Sequence, residues 1–283
     1  MKTPEVITTV PALRARIADW RRHDGTRVGL VPTMGALHHG HLSLIAEAAK
    51  RAGRVVVSIF VNPRQFGPTE DLQRYPRNLE LDQAKIAAQG QTDAIFAPDA
   101  REIYPDGFST EIRIGGPALG LESEFRPHFF AGVATVVAKL LIAVAPDIAM
   151  FGEKDYQQLL VIRRLVHDLA LPIEIIGAPI VRELDGLAMS SRNAYLGPRE
   201  RAIAGILNRV IARAAGRIRT GASIADAERE GKAALLAAGF HSVDYVAVRD
   251  ADTLAPLEQI SENMRILAAA TISGTRLIDN MAV

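Results

Sequence analysis

The chain has 283 residues, 48% of them apolar, and its 33 Lys and Arg against 32 Asp and Glu leave a formal charge of +1. That length holds one large domain or two modest ones with a real core, and the balanced charge excludes the basic excess of a protein built mainly to bind nucleic acid. With no cysteine, disulfides, thiolate metal sites and cysteine nucleophiles are excluded, and a reducing, cytoplasmic setting is expected.

In chain order, the opening MKTPEVITTV lacks the apolar core of a signal peptide, with Pro4 and Glu5 interrupting it. Short runs rich in β-branched residues follow at Val28–Val31 and Val55–Val61, with weaker ones at Ile95–Ala97, Ile148–Phe151 and Ile173–Ile176; such runs suit strands buried on both faces. Between them Leu42–Ala52, Asn78–Gln89, Val133–Val144 and Tyr156–Leu169 read as helices, the last with Leu159, Ile162, Val166 and Leu169 on one face. The apolar stretch Ala131–Ala145 is too short to span a bilayer, carries Lys139 and ends at Pro146, so a buried helix is expected and no membrane partner. Strand and helix in alternation predict an α/β fold with a Rossmann-like, doubly wound parallel sheet, its ligands at the carboxyl ends of the strands.

After about residue 180 the texture changes. Arg199–Ile218 and Ile224–Ala238 read as amphipathic helices, followed by strand-like Val243–Val248 and Ile266–Ile272 and a final Arg276–Met281 segment. This predicts a smaller C-terminal α+β domain over 181–283 beside a first domain over 1–180, with Gly177–Gly197 as the junction.

Four motifs carry chemistry. Pro32–Leu44, PTMGALHHGHLSL, follows the first clear strand and holds three of the seven histidines. Its His38-x-Gly40-His41 element falls where a turn becomes a helix, whose free N–H groups and dipole form a seat for phosphate. The two imidazoles add donors, each charge-assisted bond contributing roughly 1.5–3 kcal/mol, and Gly40 lets a ligand approach the backbone. Metal ligation and plain structure are the rival readings; the HExxH pattern of a metalloprotease is not met.

The second motif, Ser58–Gly67, runs out of a strand at Pro63, placing Asn62, Arg64 and Gln65 where the sheet presents ligands; Arg74-Tyr75-Pro76-Arg77 is near enough in sequence to close over the same pocket. The third, FGEKDYQQL over Phe151–Leu159, puts Lys154 at a strand–helix turn, with Asp155 as a candidate cap. A surface lysine beside a cap is the plainer reading, since neither a GxxxxGK[ST] loop nor a GxGxxG is present. The fourth, MSSRNAYL from Met189, offers two serines and Arg192 on a loop suited to close onto phosphates.

In this order and spacing the four motifs resemble the pantothenate synthetase (pantoate–β-alanine ligase) family over essentially the whole chain. That family is a branch of the HxGH nucleotidyltransferase superfamily, and Met189–Arg192 stands in for its KMSKS-like loop. The resemblance implies ATP-dependent, AMP-forming condensation of pantoate with β-alanine through a pantoyl adenylate, in a cytoplasmic homodimer with no nucleic-acid partner. It implies that Met34, Gly35, Ala36, Leu37, His38, His39, Gly40 and His41 wrap ATP, with Gly152, Glu153, Lys154, Asp155, Val181, Met189, Ser190, Ser191 and Arg192 completing that site. His41, His38, Lys154 and Arg192 would carry the chemistry, and Gln65 and Gln158, with Asn62 and Tyr75 beside them, would hold the other substrates. Magnesium would bridge the ATP phosphates without a dedicated set of protein ligands, Asp82 being the one carboxylate singled out.

Between the motif histidines the family commonly has an acidic residue, and here stands His39. A nucleotidylyltransferase that stops at a dinucleotide-like product shares the first motif but does not account for Asn62–Gln65 or Gln157–Gln158. A non-catalytic ATP sensor would have no use for intact His38, His41, Lys154 and Arg192, and a tRNA synthetase is disfavoured by the near-neutral charge.

Overall fold

The computed structural model describes residues 3–68 and 70–283; Met1 and Lys2 of the N-terminal segment read above, and Thr69, lie outside the description. The first unit runs β1 (Glu5–Ile7), α1 (Val10–Asp24), β2 (Val28–Thr33), α2 (His39–Ala49), β3 (Arg54–Ile59), α3 (Leu79–Gln89) and β4 (Ala94–Phe96). It continues through the short α4 (Ala100–Ile103) and α5 (Glu122–Phe125) to α6 (Phe129–Val144), β5 (Ile148–Gly152), α7 (Tyr156–Asp168) and β6 (Glu174–Ala178). Then follow α8 (Pro198–Ala204), α9 (Ile206–Arg219), α10 (Ile224–Ala238), β7 (Ser242–Asp250), β8 (Met264–Ile272) and β9 (Thr275–Ala282).

The six N-terminal strands form one parallel sheet in the order β1-β4-β3-β2-β5-β6. Alternate residues of each strand face opposite layers. Val28, Leu30 and Val56 join Leu13, Ile17 and Trp20 of α1 and the apolar residues of α6 and α7 in one core. Val31, Val55 and Val57 join Leu44, Ile45 and Ala48 of α2 and Ile86 of α3 in the other. The chain builds outward from β2 to β3 and β4 on one side and then to β5 and β6 on the other, so the crevice for ligands lies where β2 meets β5. These two strands pair only at Gly29–Ile148 and Leu30–Ala149, whereas β2 and β3 stay paired over six residues, so β2 and β5 part toward their carboxyl ends.

The C-terminal strands form an antiparallel sheet in the order β7-β8-β9, packed on α9 and α10 through Leu207, Ile211, Leu235, Val248 and Ile266. Three readings change. The single helix expected over Arg199–Ile218 is broken at Gly205, where α8 gives way to α9. The helix expected from Leu42 begins three residues earlier, at His39, because His38 caps it. Asp155 precedes α7 but makes no side-chain cap; its carboxylate lies 3.6 Å from Lys154 Nζ instead.

Candidate active site

A cavity of about 590 Å3 opens beyond the carboxyl ends of β2, β3 and β5 and reaches the C-terminal sheet. It brings together Met34, His38, Gly40 and His41 after β2, Asn62 and Gln65 after β3, and Gly152, Lys154, Asp155 and Gln158 around β5 and α7. Tyr75, Val181, Met189, Ser190, Ser191 and Arg192 line it as well. Five expected residues do not line it. Gly35 and Leu37 are buried beneath the loop, Ala36 is tied to Ser191, His39 is exposed, and Glu153 turns to Arg265. Among these, the unusual histidine of the motif points to solvent.

The loop between β2 and α2 is held from below. Gly35 and Ala36 both have left-handed backbones, with φ of 79° and 50°, strained for the alanine. The buried Asp82 carboxylate accepts from the N–H groups of Ala36 at 2.9 Å and Leu37 at 2.8 Å, which secures that bend. Asp82 is therefore committed to backbone amides and shapes the loop.

The helix N-terminus differs from the sequence expectation. Three of its first-turn amides are already taken: Gly40 N–H donates to His38 Nδ1 at 3.1 Å, and His41 and Leu42 N–H donate to the His38 carbonyl at 2.9 and 3.1 Å. His38 N–H in turn donates to His41 Nδ1 at 3.4 Å, closing a capping box built from two imidazoles. With Nδ1 of each ring accepting, the neutral rings carry their proton on Nε2. The rings lie 4.1 Å apart, centroid to centroid. Burial first, then Lys154, lowers the His38 pKa to about 4. Burial, then His38 and Lys154, lowers that of His41 to about 3. The two side chains are thus neutral Nε2–H donors at neutral pH. A Cβ on Gly40 would meet the His38 ring at 2.9 Å, so this glycine makes room for the cap itself.

Asn62 is a scaffold for Gln65. Only 1% exposed, it donates to Gln65 Oε1 at 2.9 Å and to the Gly132 carbonyl at 3.1 Å, and accepts from Tyr104 Oη at 2.8 Å. Burial pushes the Tyr104 hydroxyl up to about 12, so it remains a donor. Gln65 Nε2 lies 3.2 Å from Met34 Sδ, joining the second motif to the first. Gln157 is pinned away from solvent, donating to the Pro117 and Gly120 carbonyls at 3.0 and 3.2 Å, which leaves Gln158 as the more open amide of the pair.

The MSSR loop meets the first unit directly. Ser191 Oγ donates to the Ala36 carbonyl at 3.2 Å, and Arg192 forms a two-pronged ion pair with Asp71. Burial would raise the Asp71 carboxyl, but the hydrogen bond and charge of Arg192 hold it below the usual carboxylate range. Deeper in the cavity wall, the buried Glu122 accepts from Tyr245 Oη at 2.7 Å and from Arg276 Nη1 at 2.8 Å, linking α5 to β7 and β9. Asp71, Glu122, Tyr245 and Arg276 all line the cavity, yet they fall outside the four motifs. Nothing in the local sequence sets these four apart from ordinary polar residues.

The chain is similar to known proteins along nearly its whole length. Residues 5–282 match the family model of pantoate-beta-alanine ligase. A pantothenate synthetase of Mesorhizobium japonicum is 56% identical over 283 residues, covering 100% of this chain and 99% of that protein. The crystal structure of pantothenate synthetase from Thermus thermophilus superposes with a TM-score of 0.91 at 47% identity, covering 98% of each chain. That of the Francisella tularensis pantoate-beta-alanine ligase, complexed with beta-gamma ATP and beta-alanine, gives 0.82 at 34% identity, covering 99% of this chain and 97% of that one. The chain belongs to the pantoate–β-alanine ligase family.

Proposed function

We propose that this cavity is where ATP activates the carboxylate of pantoate and where the amine of β-alanine then takes the acyl group. The products are pantothenate, AMP and pyrophosphate. The observation that carries this reading is the convergence, in one cavity, of His38, His41, Lys154 and Arg192 with the amides Gln65 and Gln158. ATP and β-alanine are also the ligands named for the Francisella tularensis relative.

The chemistry follows from the donors present. A carboxylate is a poor acyl donor, and its attack on the α-phosphorus of ATP replaces oxide with a good leaving group while pyrophosphate departs. The Nε2–H groups of His38 and His41, with Lys154 and Arg192, meet the charge growing on the leaving phosphates; donors fixed in place before reaction are worth most there. The neutral rings present their one proton at Nε2, because their Nδ1 atoms accept backbone N–H groups. Gln65, oriented by Asn62, and Gln158 supply amide donors and acceptors for the hydroxyl and carboxylate groups of pantoate. The segment 181–283 serves as a lid over 1–180, keeping water from the adenylate until the amine attacks.

Among the described residues no three His, Asp or Glu side chains converge as a metal site. The family resemblance implies that magnesium would come with ATP, held mostly by phosphate and water oxygens. Asp155 lines the cavity beside Lys154 and is the carboxylate placed to join it, while Asp82 is occupied by backbone amides. The ion would offset phosphate charge. A cytoplasmic homodimer belongs to the same proposal and rests on the family resemblance; among the described residues no helix is long and apolar enough to cross a membrane.

The test is a product assay with each substrate omitted in turn. AMP and pantothenate in equal amounts, only with pantoate, β-alanine and ATP all present, is the expected result. Steady AMP release without β-alanine, or a dinucleotide product, overturns the reading.

A further inference from the structure

We propose that Asn280 of β9 is a positioning residue for adenylation, holding the turn that presents Lys154 to ATP. The proposal rests on the assignment of Lys154 to the ATP phosphates made above.

Asn280 is 2% exposed and lies 126 residues from the lysine it serves. Its amide nitrogen has two hydrogens, and both are used: one is donated to the Glu153 carbonyl and one to the Lys154 carbonyl, each at 2.9 Å. Its amide oxygen accepts from Arg265 Nε at 2.6 Å. The arginine can only donate, so it fixes the oxygen on its own side and turns the nitrogen toward the two carbonyls. Arg265 is held in its turn, 3.2 Å from the Glu153 carboxylate and 3.6 Å above the Tyr156 ring.

The turn needs this support because it has none of its own. Glu153–Asp155 is a single 3-10 turn between β5 and α7, and neither Gly152 before it nor Asp155 at its end provides a side-chain cap. Two adjacent carbonyls aimed at the cavity wall would otherwise leave Lys154 free to rotate with its backbone. Asparagine suits the task. Aspartate cannot donate, serine donates once, and alanine leaves both carbonyls and Arg265 Nε without these partners, each buried loss costing about 1–3 kcal/mol.

The neighbouring Asp279 does the same for the other phosphate-binding loop. Its carboxylate takes a two-pronged pair from Arg182 at 2.7 and 2.9 Å, at the start of the segment that leads to Ser190–Arg192. Two consecutive residues of one C-terminal strand therefore steady both loops that carry cations to the nucleotide.

The test compares Asn280→Asp, Asn280→Ser and Asn280→Ala in pantoate-dependent ATP–pyrophosphate exchange, with KM for ATP and for pantoate and a thermal melt of each protein. Asn280→Asp keeps size and the acceptor for Arg265 while removing both donors. It is expected to lower kcat/KM for ATP about tenfold or more, by analogy with outer partners of a bound group, leaving KM for pantoate within about twofold. Asn280→Ser, with one donor, should fall between, and it carries the test if the other two melt below the assay temperature. In a Lys154→Ala background the same Asn280 change should add less than about twofold, because residues acting through one another are not additive. Additive losses, equal losses in both KM values, or normal exchange in Asn280→Asp overturn the proposal. Normal exchange in Lys154→Ala would instead overturn the lysine assignment, whatever the Asn280 variants do.

Discussion

Arg192 grips both oxygens of Asp71, through Nε at 3.0 Å and Nη2 at 2.8 Å, across 121 residues of sequence. On the proposed assignment of Arg192 to phosphate, the anion of ATP has to compete with Asp71 for this guanidinium. The pair is partly open to solvent, with side-chain exposures of 27% and 12%, so its net strength is on the order of 1 kcal/mol. Asp71→Asn is expected to lower KM for ATP about two- to fivefold, while Arg192→Ala lowers kcat/KM for ATP by about a hundredfold. Steady-state kinetics over ATP concentration decides this, and weaker ATP use by Asp71→Asn would show that the carboxylate instead holds Arg192 in its working position.

The histidine pair ties stability to pH. Unfolded imidazoles bind protons below about pH 6.5, whereas the folded rings resist until about 4 for His38 and about 3 for His41. Between those limits the unfolded chain binds more protons, so stability is full above about pH 6.5 and is lost as pH falls toward 4. By pH 5 the loss should be about 1–2 kcal/mol per ring. Urea midpoints at pH 7.5 and 5 should differ for the native chain, and differ clearly less for the His38→Asn/His41→Asn variant. Equal slopes in the two proteins would rule the rings out as the source.

His41→Ala removes one Nε2–H donor and the acceptor for the His38 amide. Adenylate formation is expected to fall about 10²–10³-fold, as for a lost donor to developing charge, with ATP binding reduced far less. Pyrophosphate release near the native rate, accompanied only by weaker ATP affinity, would show that His41 binds without catalysing.

Gly132 sits where α6 crosses the turn that carries Gln65. A Cβ there would fall 2.2 Å from the Arg64 carbonyl oxygen, a backbone atom that cannot step aside, and the Gly132 carbonyl also accepts from Asn62. Gly132→Ala should destabilise the fold by about 1–3 kcal/mol through overpacking. Because the strain falls on the Asn62–Gln65 turn, KM for pantoate should rise more than KM for ATP. A thermal melt with the two KM values tests both parts, and an unchanged melt would mean that α6 can shift.

What the sequence determined by itself was local. Apolar β-branched runs such as Val28–Val31 and Val55–Val61 become β2 and β3 because a doubly buried strand has to be apolar throughout. The motifs fall at strand ends because His38, Pro63 and Gly152 each stop or redirect a regular element. β1 and α1 extend the same strand–helix alternation without such a run to mark it: β1 has three residues and is a strand only through its pairing with β4.

The tertiary structure decided whatever joins residues distant in the chain. Strand order, and the parting of β2 from β5 that opens the cavity, depend on pairing between segments 119 residues apart, which no local period encodes. The same holds for the supports of the site. Asp82 beneath Ala36 and Leu37, Asp71 on Arg192, and Asn280 on the Lys154 turn are ordinary polar residues in sequence. Each acquires its part only when folding sets it against backbone or charge, with Asp82 and Asn280 fully buried, where a polar group without a partner is costly. The sequence thus carries the groups proposed to meet the substrates, and packing supplies the ones that hold them still.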